Sequence, residues 1–320
     1  FEPVVEERPP FDPLGKHFCI EEVVEAIGKS NCGKSGGPDD GLTAEVYKCI
    51  SEYIAPVLLD IYNTAIDMCE VPEAWRKGMI VNLHKGGSRL DVGNYRGIML
   101  LSIAGKMFNW VIAKRITKYC DDKKVLNCKQ DGFMPGRGTS GHSVSLTESI
   151  NDMRNRGLDP YVFYLDLSKA FDCIDRKIIY SNLRKAGIPE NIITIIADMH
   201  RKTVTCYRSG SSKTKQIHTI QGVPQGDPLS PIIFNLVINP LLDTLDENKI
   251  CHKLLCRNTE TESLFMYADD FVCVCDSKED LQKAINICER CINYFNLKAN
   301  VKKSAVMRFF RKDVKKKQRK

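Results

Sequence analysis

Residues 265–273, FMYADDFVC, set Asp269 and Asp270 side by side inside a run that is otherwise apolar. Burying one lone carboxylate is costly, and a second like charge beside it adds repulsion. The segment therefore reads as strand, turn, strand, with the acids at the turn. A further acid, Asp166, ends the buried-strand pattern PYVFYLDL of residues 160–167. Pairing that strand with the DD hairpin brings the carboxylates together at one sheet rim. Hard oxygen ligands so grouped bind Mg²⁺, which removes the repulsion. Two ions bridged by such aspartates can hold the attacking and leaving oxygens of an in-line phosphoryl displacement.

Around this centre the hydrophobic pattern alternates irregularly between helix and strand. CIEEVVEAIG carries Ile20, Val23, Val24 and Ile27 at one-face helical spacing, with Gly28 as the stop. Thr43 caps a longer pattern whose face holds Val46, Tyr47, Ile50, Tyr53, Ile54, Val57, Leu58, Ile61 and Tyr62, with Pro56 as a kink or division. Strands are predicted at MIVNL and near 96–101, and helices near 103–119 and 138–155. After the strand at 160–167 come helices at 175–186 and 189–200, a hairpin around Ser209-Gly210-Ser211, and a helix at 228–245. A helix at 278–295 and a strand in SAVMRFF complete the pattern. Hairpins mixed with helices, and no internal repeat, give the α+β class.

A chain of 320 residues is long enough for two domains. Its longest apolar run, near 231–242, is broken by Asn235 and Asn239, so no membrane span is expected. The acidic, proline-rich start lacks the pattern of a secretory signal, and the missing initiator Met implies a piece of a longer protein. The net charge of +7 sits at the end, where residues 308–320 hold eight basic residues and one acid. That tail reads either as a polyanion-binding or nuclear-import patch or as a solvated run. Fourteen cysteines without a signal imply reduced thiols. Cys251-x4-Cys256 and Cys288-x2-Cys291 suggest a zinc site, but Cys288 and Cys291 fall on a helical segment and no second pair has zinc-ribbon spacing. The six histidines are scattered and read as structural. Residues 28–35, GKSNCGKS, fit P-loop spacing, but a helix precedes them and Gly36-Gly37-Pro38 follows. A phosphate cradle needs a strand before and a helix after, so this is a glycine-rich connection.

Seven segments in order, GPDDGLTAEVYK, VNLHKGGSRLDVGNYRGIMLLSIAGKMF, QDGFMPGRGTSGH, FYLDLSKAFD, IQGVPQGDPLSPIIFNL, FMYADD and LKANVKKSAVM, span residues 36–310 or so. With them the chain resembles the reverse transcriptases of LINE-type (non-LTR) retrotransposons. The resemblance implies an α+β right-hand polymerase of fingers and palm, with an antiparallel palm sheet backed by helices. It places an N-terminal extension and linker at 1–35, fingers at 36–158, palm at 159–311 with some fingers elements around 175–220, and a basic tail at 312–320. The thumb is expected to be absent, the chain ending just past the KKS segment. The implied activity is RNA-directed DNA synthesis, adding dNTPs to a primer 3′-hydroxyl by two-metal phosphoryl transfer. Two Mg²⁺ ions are implied, Mn²⁺ being a substitute. The implied partners are an RNA template, a DNA primer and dNTPs, with no membrane. An endonuclease domain or partner would lie outside this chain, and action in the nucleus would follow synthesis in the cytoplasm.

The same resemblance assigns roles. Asp166 and Asp269 match the metal-binding aspartates, with Asp270 in support and the Leu167 carbonyl as a further ligand. Phe171 matches the ring that lies under the incoming sugar and excludes a 2′-hydroxyl. Gln225 and Gly226 match the pair contacting nucleotide and template, where a small Gly allows close backbone approach. Lys85 and Arg96 match the grip on the triphosphate, a point charge and a planar fork. Lys303 matches a lysine that protonates the leaving pyrophosphate, with Lys302 as its neighbour, and Arg137 lies in a template-contacting segment. Two departures stand out: Gly97 replaces the usual Pro after NYR, and GPDDGL carries one extra Asp. The rival readings are an RNA-dependent RNA polymerase, which the Phe171 ring opposes, a group II intron-type maturase, and a catalytically silent nucleic-acid-binding module of the same fold.

Overall fold

The computed structural model describes residues 1–320 except 39, 40, 202, 210, 211, 257, 258 and 311–320. The expected basic tail, the hairpin tip at Gly210-Ser211 and the Asp39-Asp40 pair lie outside the described residues. In chain order the first elements are α1 (Ile20–Lys29), α2 (Ala44–Cys49), α3 (Ser51–Met68), β1 (Lys77–His84), β2 (Tyr95–Leu100) and α4 (Ile103–Asp122). Next come α5 (Thr139–Asn155), β3 (Tyr161–Leu165), α6 (Ala170–Cys173), α7 (Arg176–Lys185), α8 (Glu190–Arg201), β4 (Val204–Ser209), β5 (Ser212–Lys213) and β6 (Ile217–His218). The last are α9 (Ser230–Asn248), β7 (Lys253–Cys256), β8 (Thr259–Glu262), β9 (Leu264–Tyr267), β10 (Asp270–Cys275), α10 (Lys278–Tyr294) and β11 (Ala305–Arg308). The class is mixed α+β. Two compact units result, one of residues 1–6, 123–173 and 234–320, the other of 7–122 and 174–233.

The first unit is built on an antiparallel sheet in the order β11-β3-β10-β9. Val162 of β3 faces Val274 of β10, and both pack on Met153, with Leu146 and Ile150 of α5 beside them. The alternate residues, Phe163 opposite Cys273 and Tyr161 opposite Cys275, belong to the other face, and α10 packs on β3 and β10. With both faces covered, PYVFYL has no polar alternation to show. Cys273, Cys275, Cys288 and Cys291 are buried free thiols, acting as small apolar side chains. Burial pushes the Cys288 thiol well above its usual range. The outer edge of β9 is covered by residues 129–131: the Met266 amide donates to the Lys129 carbonyl, and the Asp131 amide to the Met266 carbonyl, each at 3.0 Å. The β7–β8 hairpin and the single turn of α6 were not anticipated from the sequence pattern.

The second unit has a mixed sheet, β2-β1-β4-β5, with β6 also on β4; β1 and β4 run parallel and the other pairs antiparallel. Phe18, Tyr62, Trp75 and Phe108 form an aromatic cluster with ring centroids 5.3 to 6.0 Å apart. Arg76 and Asp198 are buried together, Nη2 donating to Oδ2 at 2.7 Å. The long helix predicted after Thr43 breaks at Ile50, whose φ and ψ are −111° and 25°, rather than at Pro56, which lies inside α3. Pro56 removes the bond that would reach the Glu52 carbonyl, and the helix continues. Its predicted apolar face is also corrected. Ala55, Leu58, Tyr62, Ala65 and Ile66 are buried, whereas Val46, Ile50, Tyr53, Val57 and Ile61 form an exposed stripe. Both stripes share helical spacing, so periodicity merges them. Helix α1 runs one residue past Gly28 and leads directly into the GKSNCGKS loop, with the next helix starting only at Ala44. Among the described residues, no helix is long and apolar enough to cross a membrane.

Candidate active site

In the first unit, the β3–β10 ladder runs from Tyr161–Cys275 to Leu165–Phe271. One step further along that register sets Asp270 opposite Asp166, and Asp270 pairs with Tyr267 to close a hairpin whose turn residues are Ala268 and Asp269. Residues opposite each other on antiparallel strands lie about 5 Å apart at Cα and point to one face. Asp166 and Asp270 thus end neighbouring strands on the face of Val162 and Val274, and Asp269 adjoins them in the turn. Continued by one step, the register brings across from Asp166 the acid that the resemblance gives the supporting role, Asp270.

Residues 298–304 fix the Asp166 end. The Asn300 amide donates to the Asp166 carbonyl at 2.8 Å, the Ser168 amide to the Lys298 carbonyl at 2.8 Å, and the Ser304 hydroxyl lies 3.1 Å from the Asp166 amide. These bonds flank the Leu167 carbonyl. Lys303 Nζ is 4.0 Å from Asp166 Oδ1, with its side chain 70% exposed, a contact that solvent screens strongly. Phe171 stacks on Phe234 at 4.6 Å and meets Phe133 edge-on at 6.4 Å. Arg137 Nη1 reaches the Cys128 and Gln130 carbonyls at 3.4 Å and lies 3.6 Å from Asp131. His142 sits 2.8 Å from Asp131, and His252 is buried between Asp276 and Asp152 at 2.6 and 3.2 Å.

Among the described residues, no three His, Cys, Asp or Glu side chains are arranged to hold a metal ion. A closed protein cage is therefore not what this sheet rim offers. Magnesium at phosphate-transfer sites uses one or two carboxylates, with water and substrate oxygens filling the other positions. Paired oxygen donors at an open strand end fit that requirement.

In the second unit, Arg96 stands opposite Leu83, and the Lys85 amide donates to the Asn94 carbonyl at 2.8 Å. Lys85 is two residues beyond Leu83, so both cations emerge on one exposed face of the β1–β2 ribbon. The Gln225 carbonyl accepts from the Met99 amide at 2.8 Å, laying the PQGD loop along the outer edge of β2. Gly226 has φ of 110°, and a Cβ there would lie 3.0 Å from the Met99 carbonyl oxygen. Only glycine satisfies both conditions without displacement.

Two polar residues beside that loop escaped the sequence reading. Asn109 Nδ2 donates to both Asp227 carboxylate oxygens at 3.0 and 2.9 Å, and both side chains are buried. Burial raises the Asp227 carboxyl to about 6, against the Leu229 amide, the Asn109 amide and Lys106, which favour its ionised form. Asp227 Oδ1 also accepts from the Leu229 amide at 3.1 Å, at the start of α9. The signal was available: an acid directly after Gln225-Gly226 and before a long apolar helix.

The chain matches the reverse transcriptase (RNA-dependent DNA polymerase) family over residues 83–320. It is 26% identical over 255 residues to the Pol polyprotein of the type-1 retrotransposable element R2 of Nasonia vitripennis, covering 80% of this chain and 24% of that protein. With the RNA-directed DNA polymerase of the mobile element jockey of Drosophila melanogaster it shares 25% identity over 300 residues, or 91% of this chain and 31% of that one. The chain thus spans about a quarter to a third of the length of these curated relatives. In fold it is similar to apo telomerase from Candida tropicalis truncated from its C-terminal domain, with a TM-score of 0.53 at 13% identity, covering 86% of this chain and 58% of that one. The motifs, the fold and the family match agree, and the chain belongs to the reverse transcriptase (RNA-dependent DNA polymerase) family.

Proposed function

We propose that this chain carries the polymerase centre of a non-LTR retrotransposon protein and extends a DNA primer on an RNA template. The observation that supports this reading is the β3–β10 ladder, which ends at Leu165–Phe271, so that Asp166 follows one strand and Asp270 and the turn residue Asp269 precede the other at the same end of the sheet. Divalent ions, Mg²⁺ with Mn²⁺ as a substitute, would supply charge neutralisation at the α-phosphate and activation of the primer 3′-oxygen. Asp166 and Asp269, with the Leu167 carbonyl, would hold them, with Asp270 in support. The primer 3′-hydroxyl gives its proton to solvent, its oxygen bonds to the α-phosphorus as the bond from that phosphorus to the oxygen bridging to the β-phosphate breaks, and pyrophosphate leaves. Lys303 would give that leaving group a proton. Lys85 and Arg96 would bind the triphosphate, Gln225 and Gly226 the base-pair side of the nucleotide, Arg137 the template, and Phe171 would lie against the sugar. Catalysis would rest on positioning and charge stabilisation. Under this reading the first unit is the palm, the second holds most of the fingers, target nicking belongs to another domain or protein, and the enzyme acts in the nucleus.

The test is extension of an annealed primer on RNA in Mg²⁺ against EDTA, with Asp166→Asn and Asp269→Asn beside the parent chain. Loss of extension in both variants, with unchanged thermal melting, is expected. A well-folded variant that still extends overturns the assignment. Hybrid binding without metal-dependent extension by the parent chain selects the silent binding module instead.

A further inference from the structure

The turn that carries Asp269 breaks a local rule. A two-residue hairpin with positive φ at its first turn residue takes glycine there, yet that position is Ala268, with φ of 58°. An L-residue held in this region is strained and persists only where its surroundings over-determine it. Both backbone polar groups of Ala268 are held by one side chain. Gln130 Oε1 accepts from the Ala268 amide at 2.9 Å, and Gln130 Nε2 donates to the Ala268 carbonyl at 3.2 Å. The carboxamide thus grips both backbone groups of the strained residue, and Gln130 itself is 1% exposed.

The grip is in turn anchored. Gln130 Oε1 also accepts from the Gly132 amide at 2.9 Å, and Asn235 Nδ2 donates to the Gly132 carbonyl at 2.7 Å. A Cβ on Gly132 would lie 2.2 Å from the Ala268 nitrogen, so glycine at 132 is what lets the brace close on the turn. We propose that Gln130 is a positioning residue for the polymerase reaction, its carboxamide locking Ala268 so that Asp269 and Asp270 meet Asp166. This rests on the reading of those aspartates as catalytic.

Amide hydrogen exchange and single-nucleotide incorporation test it together. Gln130→Met keeps length and loses all three side-chain hydrogen bonds, two with Ala268 and one from the Gly132 amide. Exchange at Ala268 is expected to rise about tenfold or more while β3 amides stay protected. The kcat is expected to fall by about 100-fold with KM for dNTP nearly unchanged, as for a small misplacement of reacting groups. Gln130→Glu keeps the acceptor for the Ala268 amide and should keep that amide protected. Adding Ala268→Gly to Gln130→Met, which removes the strain the brace opposes, should recover about tenfold in kcat. Unchanged exchange at Ala268 in Gln130→Met, or unchanged kcat, overturns the proposal. If Asp269→Asn is inactive while Gln130→Met is fully active, the brace fails and the catalytic reading stands. If the parent chain does not extend primers, that reading fails, and the exchange data alone decide whether Gln130 holds the turn.

Discussion

Replacing Asn109 by Leu should destabilise the chain in a pH-dependent way whose sign the structure sets. Asp227 is buried and its folded pKa is raised from 3.8 to about 6. A folded value above the unfolded one means that the folded state binds more protons between about pH 4 and 6. Stability from this group is therefore greatest in acid, falls as pH rises through that window, and is constant above it. The penalty at neutral pH is about 3 kcal/mol. It would be larger without Asn109, whose Nδ2 contacts the two carboxylate oxygens at 3.0 and 2.9 Å. A hydrogen bond to a buried charge contributes about 1.5–3 kcal/mol. Asn109→Leu should thus lose about 3 kcal/mol at pH 8 and only about 1 kcal/mol at pH 5, where the folded carboxyl takes a proton. Lys106 on α4 lies near Asp227, and Arg76 and His200 line the same small cavity. Burial lowers His200 to about 3, which adds its own acid dependence, but equally in parent and variant. Urea unfolding at the two pH values, compared as a difference between the proteins, isolates the Asn109 effect. Equal losses at both pH values, or a larger loss at pH 5, would refute the reasoning. The double variant Asn109→Leu/Asp227→Asn should lose the pH dependence.

Asp198→Ala should cost about 3–5 kcal/mol, because it leaves the buried Arg76 guanidinium with only the half-exposed Glu70 carboxylate and the Val71 carbonyl. Asp198 accepts from Arg76 at 2.7 and 3.1 Å, from the Val71 amide at 3.0 Å and from Arg201 at 2.9 Å. Although burial opposes ionisation, those donors hold its carboxyl below the usual range; an unshifted urea midpoint would contradict this account. Phe171→Val should raise ribonucleotide incorporation relative to deoxynucleotide by about tenfold or more, on the scale of one apolar contact in a pocket. Unchanged sugar discrimination in single-nucleotide incorporation removes the ring from that role.

The candidate site was legible where local pattern and chemistry coincide. The acid pair in an apolar run marks a hairpin by desolvation alone, and the unbroken PYVFYL run marks a strand covered on both faces. Both elements are present as β3 and the β9–β10 hairpin, but the register between them is visible only in the structure. Helix faces were harder. The 3.6-residue period places Tyr53, Val57 and Ile61 near Leu58 and Tyr62, but only the tertiary packing decides which stripe is covered. The break at Ile50 was misplaced because proline is the obvious local signal, and helices tolerate one missing bond. The β7–β8 hairpin has no apolar alternation in residues 253–262 to announce it.

What stayed hidden was the set of polar side chains that hold the motifs in place. Gln130 and Ala268 are 138 residues apart, and Asn109 and Asp227 are 118 apart. No helical or strand period links such positions. Each pair nevertheless leaves a local inconsistency behind: alanine where a hairpin wants glycine, and an acid where the chain enters a buried helix. Natural sequences are locally consistent except where another demand overrides. Here the overrides cluster at the acid pair, at the residue before it, and beside Gln225-Gly226. The last two are each offset by a polar contact from a remote segment, so rule-breaking positions point to the braces. Gln130 follows from that logic: a strained residue beside the acid pair implies something that holds it, and a buried carboxamide spanning its amide and carbonyl does so.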